Sequence, residues 1–322
     1  WQFLGKHGGH QIWTNIPFTL EEEACREKVA ARHQQGGNAV PYLEWKTLSA
    51  RFAPEVAYFG DQWQTSVSDG LCFEETLSDF LVYHAGTWAK SCGIDGFYLD
   101  NSRPQACANL DAGRGYRLPD GRVQPTYNVF AVRKLLLRLR AAFLEPNGRS
   151  KFVLHTTNNF IAPWLGAADI GYDGEHHVIY PQLGKDFMDY WDLTRMRLTL
   201  PAQWGVVVNF MHEYQGPWEH RRLTEVMRAY TGAVMLFDAL PTGNNNGLNT
   251  SVLTARAKFG IGADDVAYIA PWQAAGAGLG CAQEDVHLAA WQRPGKVLVA
   301  LVNYGEAAEA ALVVDGPRLG LG

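Results

Sequence analysis

The chain has 322 residues, of which 47% are hydrophobic and 19% charged, so it can bury a sizeable core and does not read as disordered. A net charge of −5 and the lack of any Lys/Arg run argue against nucleic acid as a partner, and no apolar run is long enough to span a membrane. The length suits one large barrel with a small appendage, or two medium domains.

The elements alternate. His10–Asn15 reads as an early strand. Thr19-Leu-Glu-Glu22 is a capping box, which opens a helix that closes near Gly36-Gly37. A strand follows at Ala39–Trp45. Leu77, Phe80, Leu81, Tyr83 and Trp88 form the apolar stripe of a helix over Glu74–Ser91, and a strand follows at Ile94–Leu99. A helix over Tyr127–Leu144 leads to a strand at Phe152–Thr156, and Asp169–Asp173 is the next strand. A helix near Asp186–Leu198 leads to a strand over Gly205–Met211. Another near Glu219–Tyr230 leads to a strand over Gly232–Asp238.

Strands alternating with helices at this spacing imply parallel strands joined by crossovers. The fold expected is a (β/α)8 barrel of the TIM type. Seven strands are visible where a barrel needs eight. The eighth is either Glu55–Phe59 or upstream of Trp1, and an open doubly wound sheet is the alternative. After about Asp265 the helix signals stop. Val266–Ile269, Val286–Trp291, Lys296–Asn303 and Ala310–Val314 read as strands of a small antiparallel domain, and the Gly/Ala-rich stretch 274–280 reads as a loop. The expected domains are thus a catalytic barrel over 1–265 and a β domain over 266–322.

Polar groups collect where each predicted strand ends. They are Asn15; Glu44 and Trp45; Asp100, Asn101 and Arg103; His155, Asn158 and Asn159; Asp173, Glu175, His176 and His177; Asn209, His212 and Glu213; and Asp238. The strand starts Ile94, Phe152, Val206 and Ala233 are plain. Active sites of parallel α/β barrels form at the C-terminal strand ends, so this asymmetry marks a site. Asp173 and Glu175 are two apart and share a face if the strand stays extended. Paired carboxylates split their pKa values, which keeps one protonated as a general acid. Asp95, at the other end of the strand that Asp100 closes, reads as a turn or cap residue.

Other chemistries fit less well. The chain has no Gly-x-Ser-x-Gly elbow, no P-loop and no dinucleotide fingerprint, so no cofactor is expected. His155, His176, His212 and Asp238 are the residues a metallohydrolase such as a deacetylase would draw on. The five cysteines, Cys25, Cys72, Cys92, Cys107 and Cys281, lack metal spacing; four could pair, but the odd count and scattered positions favour buried free thiols. Eleven Trp and thirteen Tyr supply core and, at some positions, flat faces for sugar rings.

Several segments resemble bacterial glycoside hydrolases of the family 123-like group. They are Gly93-Ile-Asp-Gly-Phe-Tyr-Leu-Asp-Asn101, Arg117-Leu-Pro-Asp-Gly-Arg-Val-Gln-Pro125, Tyr172-Asp-Gly-Glu175, Lys258-Phe-Gly-Ile-Gly-Ala-Asp-Asp265 and Arg293–Asn303. The resemblance implies a barrel acting on glycosidic bonds, with a C-terminal β domain and often an N-terminal β domain, which would lie upstream of Trp1; a secreted protein, extracellular or periplasmic, is expected. Where characterised members carry adjacent Asp and Glu, this chain has Asp173-Gly-Glu175. Asp100 is also similar in position to the Asp nucleophile of retaining α-glycosidases.

These readings combine into one expectation: hydrolysis of a glycosidic bond in an oligo- or polysaccharide or glycoconjugate. Glu175 is the general acid/base, Asp100 the nucleophile or stabiliser of the cationic intermediate, and Asp173 tunes Glu175. Trp45, Asn101, Arg103, His155, Asn158, Tyr172, His176, His212, Glu213, Trp218 and Asp238 line the carbohydrate site. A non-catalytic carbohydrate-binding barrel is the reading from a different class.

Overall fold

The computed structural model describes residues 22–44, 54–65, 70–156, 160–174, 192–200, 205–211, 220–242 and 247–321. The chain forms two compact units, Trp1–Tyr172 with Trp204–Val206, and Asp173–Gln203 with Val207–Gly322. The expected early strand His10–Asn15 and the Thr19 cap lie outside the described residues.

The first unit contains α1 (Glu22–Gln34), β1 (Tyr42–Glu44), α2 (Pro54–Trp63), α3 (Glu75–Cys92) and β2 (Gly96–Asp100). Four two-residue strands follow: β3 (Ala106–Cys107), β4 (Tyr116–Arg117), β5 (Val123–Gln124) and β6 (Thr126–Tyr127). Then come α4 (Val129–Asn147), β7 (Lys151–His155), α5 (Ala162–Leu165) and β8 (Ile170–Asp173). The order β1-β2-β7-β8 is parallel throughout, in the registers Tyr42↔Tyr98, Phe97↔Phe152 and Val153↔Ile170.

Local chemistry sets these elements. Glu74 caps α3, its carboxylate accepting from the backbone N–H of Leu77 and Thr76, and Gly93 closes the helix at φ 72°. Gly148 closes α4 in the same way at φ 65°. Gly96 starts β2 where a Cβ would overlap the Lys151 carbonyl, so only glycine lets β2 and β7 approach. Strand alternation then sorts the side chains. Leu43, Phe97, Leu99, Phe152 and Leu154 join a core with Leu77, Leu81, Leu135, Leu139 and Phe143 from α3 and α4. On the opposite face Val40, Tyr98, Val153 and Ile170 form a second cluster, with Tyr42 and Tyr172 packed against it. Burial on both faces is why these strands read as continuous apolar runs.

The second unit contains α6 (Leu193–Thr199), β9 (Val207–Met211), α7 (His220–Leu236), β10 (Leu240–Thr242) and α8 (Gly247–Phe259). Strands β9 and β10 pair in parallel. The remaining strands are β11 (Ala267–Ile269), β12 (Leu279–Cys281), β13 (Val286–Arg293), β14 (Lys296–Asn303) and β15 (Leu312–Val314). They form an antiparallel β11-β13-β14 sheet and a β12-β15 pair, around Ile269, Leu279, Leu288, Ala290 and Leu319. The small antiparallel sheet read from the sequence is therefore present.

Four expectations are corrected. Glu55–Phe59 is not the missing strand; it lies in α2. Gly232–Asp238 is not a strand: the run through Leu236 completes α7, and the strand is Leu240–Thr242. A short apolar run fits either type by period, and here Gly232 lets the helix backbone approach Val302 of β14, where a Cβ would press on that side chain. Leu279–Cys281 is a strand rather than loop. Finally, Cys72 and Cys107 form a disulfide with Cα atoms 5.9 Å apart, whereas Cys25, Cys92 and Cys281 are free. No helix among the described residues is long and apolar enough to cross a membrane. The chain is thus mixed α/β with parallel strands, six of them described.

Candidate active site

The C-terminal ends of β2, β7 and β8 bring polar groups together within the first unit. Asp100 follows Tyr98 by two residues, so both side chains project from the same face of β2 as His155 from β7 and Tyr172 from β8, which are register partners. Asp100 Oδ1 lies 2.5 Å from His155 Nδ1 and accepts the Asn101 backbone N–H at 2.7 Å. The Tyr98 hydroxyl is 3.1 Å from the same imidazole nitrogen. His155 and Tyr172 meet edge to face with ring centroids 5.2 Å apart, and Tyr98 packs edge-on against Tyr172 at 5.4 Å and Tyr42 at 4.8 Å.

A carboxylate oxygen accepts, so this bond is made when Nδ1 is the protonated ring nitrogen of His155. Two donors, the imidazole N–H and the Asn101 backbone N–H, converge on Oδ1. The imidazole side chain is 3% exposed and the Asp100 side chain 15%, so the pair sits where charge–dipole interactions are poorly screened while the carboxyl side chain keeps some contact with solvent. The backbone holds the pair as well. Asn101 takes φ 52°, a left-handed turn that asparagine tolerates, and it swings the chain back so that Ser102 N–H donates to the His155 carbonyl at 2.9 Å. Ser102 Oγ ties down Leu99 O at 2.8 Å, and Thr156 N–H donates to Tyr172 O at 2.9 Å. Each strand end is thus bonded to its neighbour.

Of the residues read from sequence, Asp100, Asn101, His155 and Tyr172 come together. Arg103 is exposed and starts the loop after β2, with its N–H on Asn101 O at 2.7 Å. Asp173 is fully buried, and alternation along β8 turns it to the face opposite Tyr172. Asp238 is not at a strand end. It lies before β10, where Oδ1 accepts from Arg256 at 2.7 Å and from the Trp291 indole at 3.0 Å, with the guanidinium 5.1 Å from the Trp291 ring centre. Trp45, Asn158, Glu175, His176, His212, Glu213 and Trp218 lie outside the described residues. Tyr98 was missed, although its place two residues before Asp100 puts it on the same strand face. Among the described residues, no group of three or more His, Cys, Asp or Glu side chains is placed to hold a metal ion.

No protein-family model matches the chain, and neither does any curated protein. Solved structures do share its fold. A noncanonic maltogenic α-amylase from Thermotoga neapolitana superposes with a TM-score of 0.53 at 15% identity, over 88% of this chain and 68% of that one. An α-amylase from Anoxybacillus superposes at a TM-score of 0.50 and 9% identity, over 89% of this chain and 69% of that one. At such identities the likeness is one of fold.

Proposed function

We propose that this protein is a glycoside hydrolase that cleaves a glycosidic bond in an oligo- or polysaccharide or glycoconjugate by carboxylate acid/base chemistry. The observation that carries the reading is Asp100: a partly buried strand-end carboxylate whose Oδ1 is held by His155 and Asn101. The fold supports the same reading, because two of the solved structures that share it are named as α-amylases. In this proposal the parallel strands belong to a (β/α)8 barrel spanning 1–265, with 266–322 as a β domain, and the chain falls in the family 123-like group.

Glycosidases use two carboxyl groups across the scissile bond, one attacking or stabilising and one delivering the proton. Asp100 takes the first role. Pinning its Oδ1 orients Oδ2 towards an anomeric carbon, and the His155 proton spreads the carboxylate charge until the cationic centre develops. Glu175, two residues beyond β8, takes the second role. Tyr172 is the ring beneath the sugar, with the buried Tyr98 packed edge-on against it. An extracellular or periplasmic setting fits the Cys72–Cys107 disulfide, since such bonds persist in oxidising compartments.

A panel of aryl glycosides and oligosaccharides tests this reading. Turnover of at least one substrate is expected, and Glu175→Gln should lower kcat by about 100-fold or more on substrates with poor leaving groups. Undiminished activity in Glu175→Gln would remove it as the acid. A chain that binds sugar without turning any over would instead be a carbohydrate-binding barrel.

A further inference from the structure

The segment 102–128, which leaves β2 directly after Asp100 and Asn101, is far longer than a turn needs and is built as a rigid arm. Strands β3 and β6 pair, as do β4 and β5, and Gly115 N–H donates to Thr126 Oγ1 at 3.0 Å, tying the hairpins together. The Cys72–Cys107 disulfide fastens the arm to the segment before α3. Asn109 does the same at the end of α2: its amide donates to Asp61 O at 2.5 Å and Gln64 O at 3.0 Å, while its Oδ1 accepts from Asp111 and Ala112. Arg114 reaches Phe73 O at 3.3 Å.

This well-anchored arm nonetheless leaves large apolar rings in water. Tyr116 is 54% exposed and Tyr127 64%, and Phe130, three residues beyond Tyr127, is 76% exposed. Rings on a well-anchored segment bind a flat apolar partner with little ordering cost. The arm also reverses the charge of the chain. It holds four arginines against two aspartates in a protein of net charge −5. Arg122 is bound to Asp120 and Arg114 to a carbonyl, but Arg103 and Arg117 are exposed and have no side-chain bond among the described residues. Guanidinium groups and rings carried on one arm suit a carboxylated sugar chain, which offers planar anions and C–H faces along its length.

We propose that the 102–128 arm binds a carboxylated, uronic-acid-containing polysaccharide, with Tyr116 and Tyr127 as ring platforms and Arg103 and Arg117 as carboxylate partners. This rests on the glycoside hydrolase reading and names the substrate class for it: an acidic polymer that runs from the Asp100 site onto the arm.

The test is affinity electrophoresis of the full chain carrying Asp100→Asn, so that binding is read without turnover, in gels containing polygalacturonate, alginate, neutral dextran or dextran sulfate. Retardation is expected in at least one uronate gel and not in dextran. Arg103→Gln with Arg117→Gln, and separately Tyr116→Ala with Tyr127→Ala, should each weaken uronate binding by about 10-fold or more at an unchanged Tm. Equal retardation in dextran would overturn the proposal. So would retardation that the tyrosine pair leaves untouched, or retardation by dextran sulfate alone, since both report nonspecific attraction to polyanions. If the arm variants bind like the parent while hydrolysis depends on Asp100, this proposal falls and the hydrolase reading stands. If the arm binds uronate but no glycoside is turned over, the reverse holds.

Discussion

Asp95 and Asp100 flank the same strand, and their surroundings give them different tasks. Asp95 is fully buried: Oδ2 accepts from His33 at 2.8 Å and from Ala39 N–H at 2.6 Å, and Arg149 binds Oδ1. Asp169 repeats the pattern before β8, accepting from Phe152 N–H at 2.8 Å and Arg140 at 2.9 Å. These acids lock loops to the N-terminal strand ends. Asp95→Asn should therefore cost about 2 kcal/mol of stability in urea titration and leave kcat of the folded fraction unchanged. The placement of Asp95 and Asp100 at opposite ends of one strand was legible in sequence because odd spacing and strand polarity separate them. The placement of Asp238 was not. Its misplacement followed from the helix–strand ambiguity of Gly232–Phe237, and its partners Arg256 and Trp291 lie 18 and 53 residues away in the chain.

Among the elements, long amphipathic helices and apolar strands were readable to within a few residues: α3 runs Glu75–Cys92 against an expected 74–91, and β14 is Lys296–Asn303 as read. Short pairings were not, because β3 to β6 have two residues each and depend on the disulfide and on Asn109 rather than on any periodic pattern. Gly96 shows a backbone requirement inside a motif that reads as merely apolar. A methyl group there meets the Lys151 carbonyl, so Gly96→Ala should force β2 from β7. The expected loss is about 1–3 kcal/mol, with reduced activity because Asp100 and His155 sit on those two strands. Denaturant midpoints measured alongside kinetics check both parts.

For the whole molecule, buried titratable groups set a stability window. Burial pushes the Cys25 thiol from its usual 9.0 up to about 12, with the neighbouring Cys92 adding to the shift, and burial likewise raises the Tyr268 and Tyr304 hydroxyls above their usual 10.0. Above about pH 9 the unfolded chain sheds protons that the folded chain keeps, so stability falls as pH rises, by about 1.4 kcal/mol per pH unit for a group such as Cys25. Burial lowers His84 and His287 below their usual 6.5, so acid protonates the unfolded chain first and stability falls as pH drops below that value. Tm should be highest between about pH 6.5 and 9, and a thermal series across pH 4–11 checks this. A Tm that climbed steadily above pH 9 would contradict the burial of these groups.

The central claim is that a strand-end carboxylate, oriented by a neighbouring histidine, performs glycoside hydrolysis. The most direct measurement is single-turnover and steady-state hydrolysis of a responsive aryl glycoside by the parent chain, Asp100→Asn and His155→Phe. The expected result is a kcat lowered by about 1000-fold or more in Asp100→Asn. In His155→Phe the loss should be smaller, about 100-fold, because that variant misplaces the carboxylate without removing it. Full activity in Asp100→Asn at an unchanged Tm would contradict the claim.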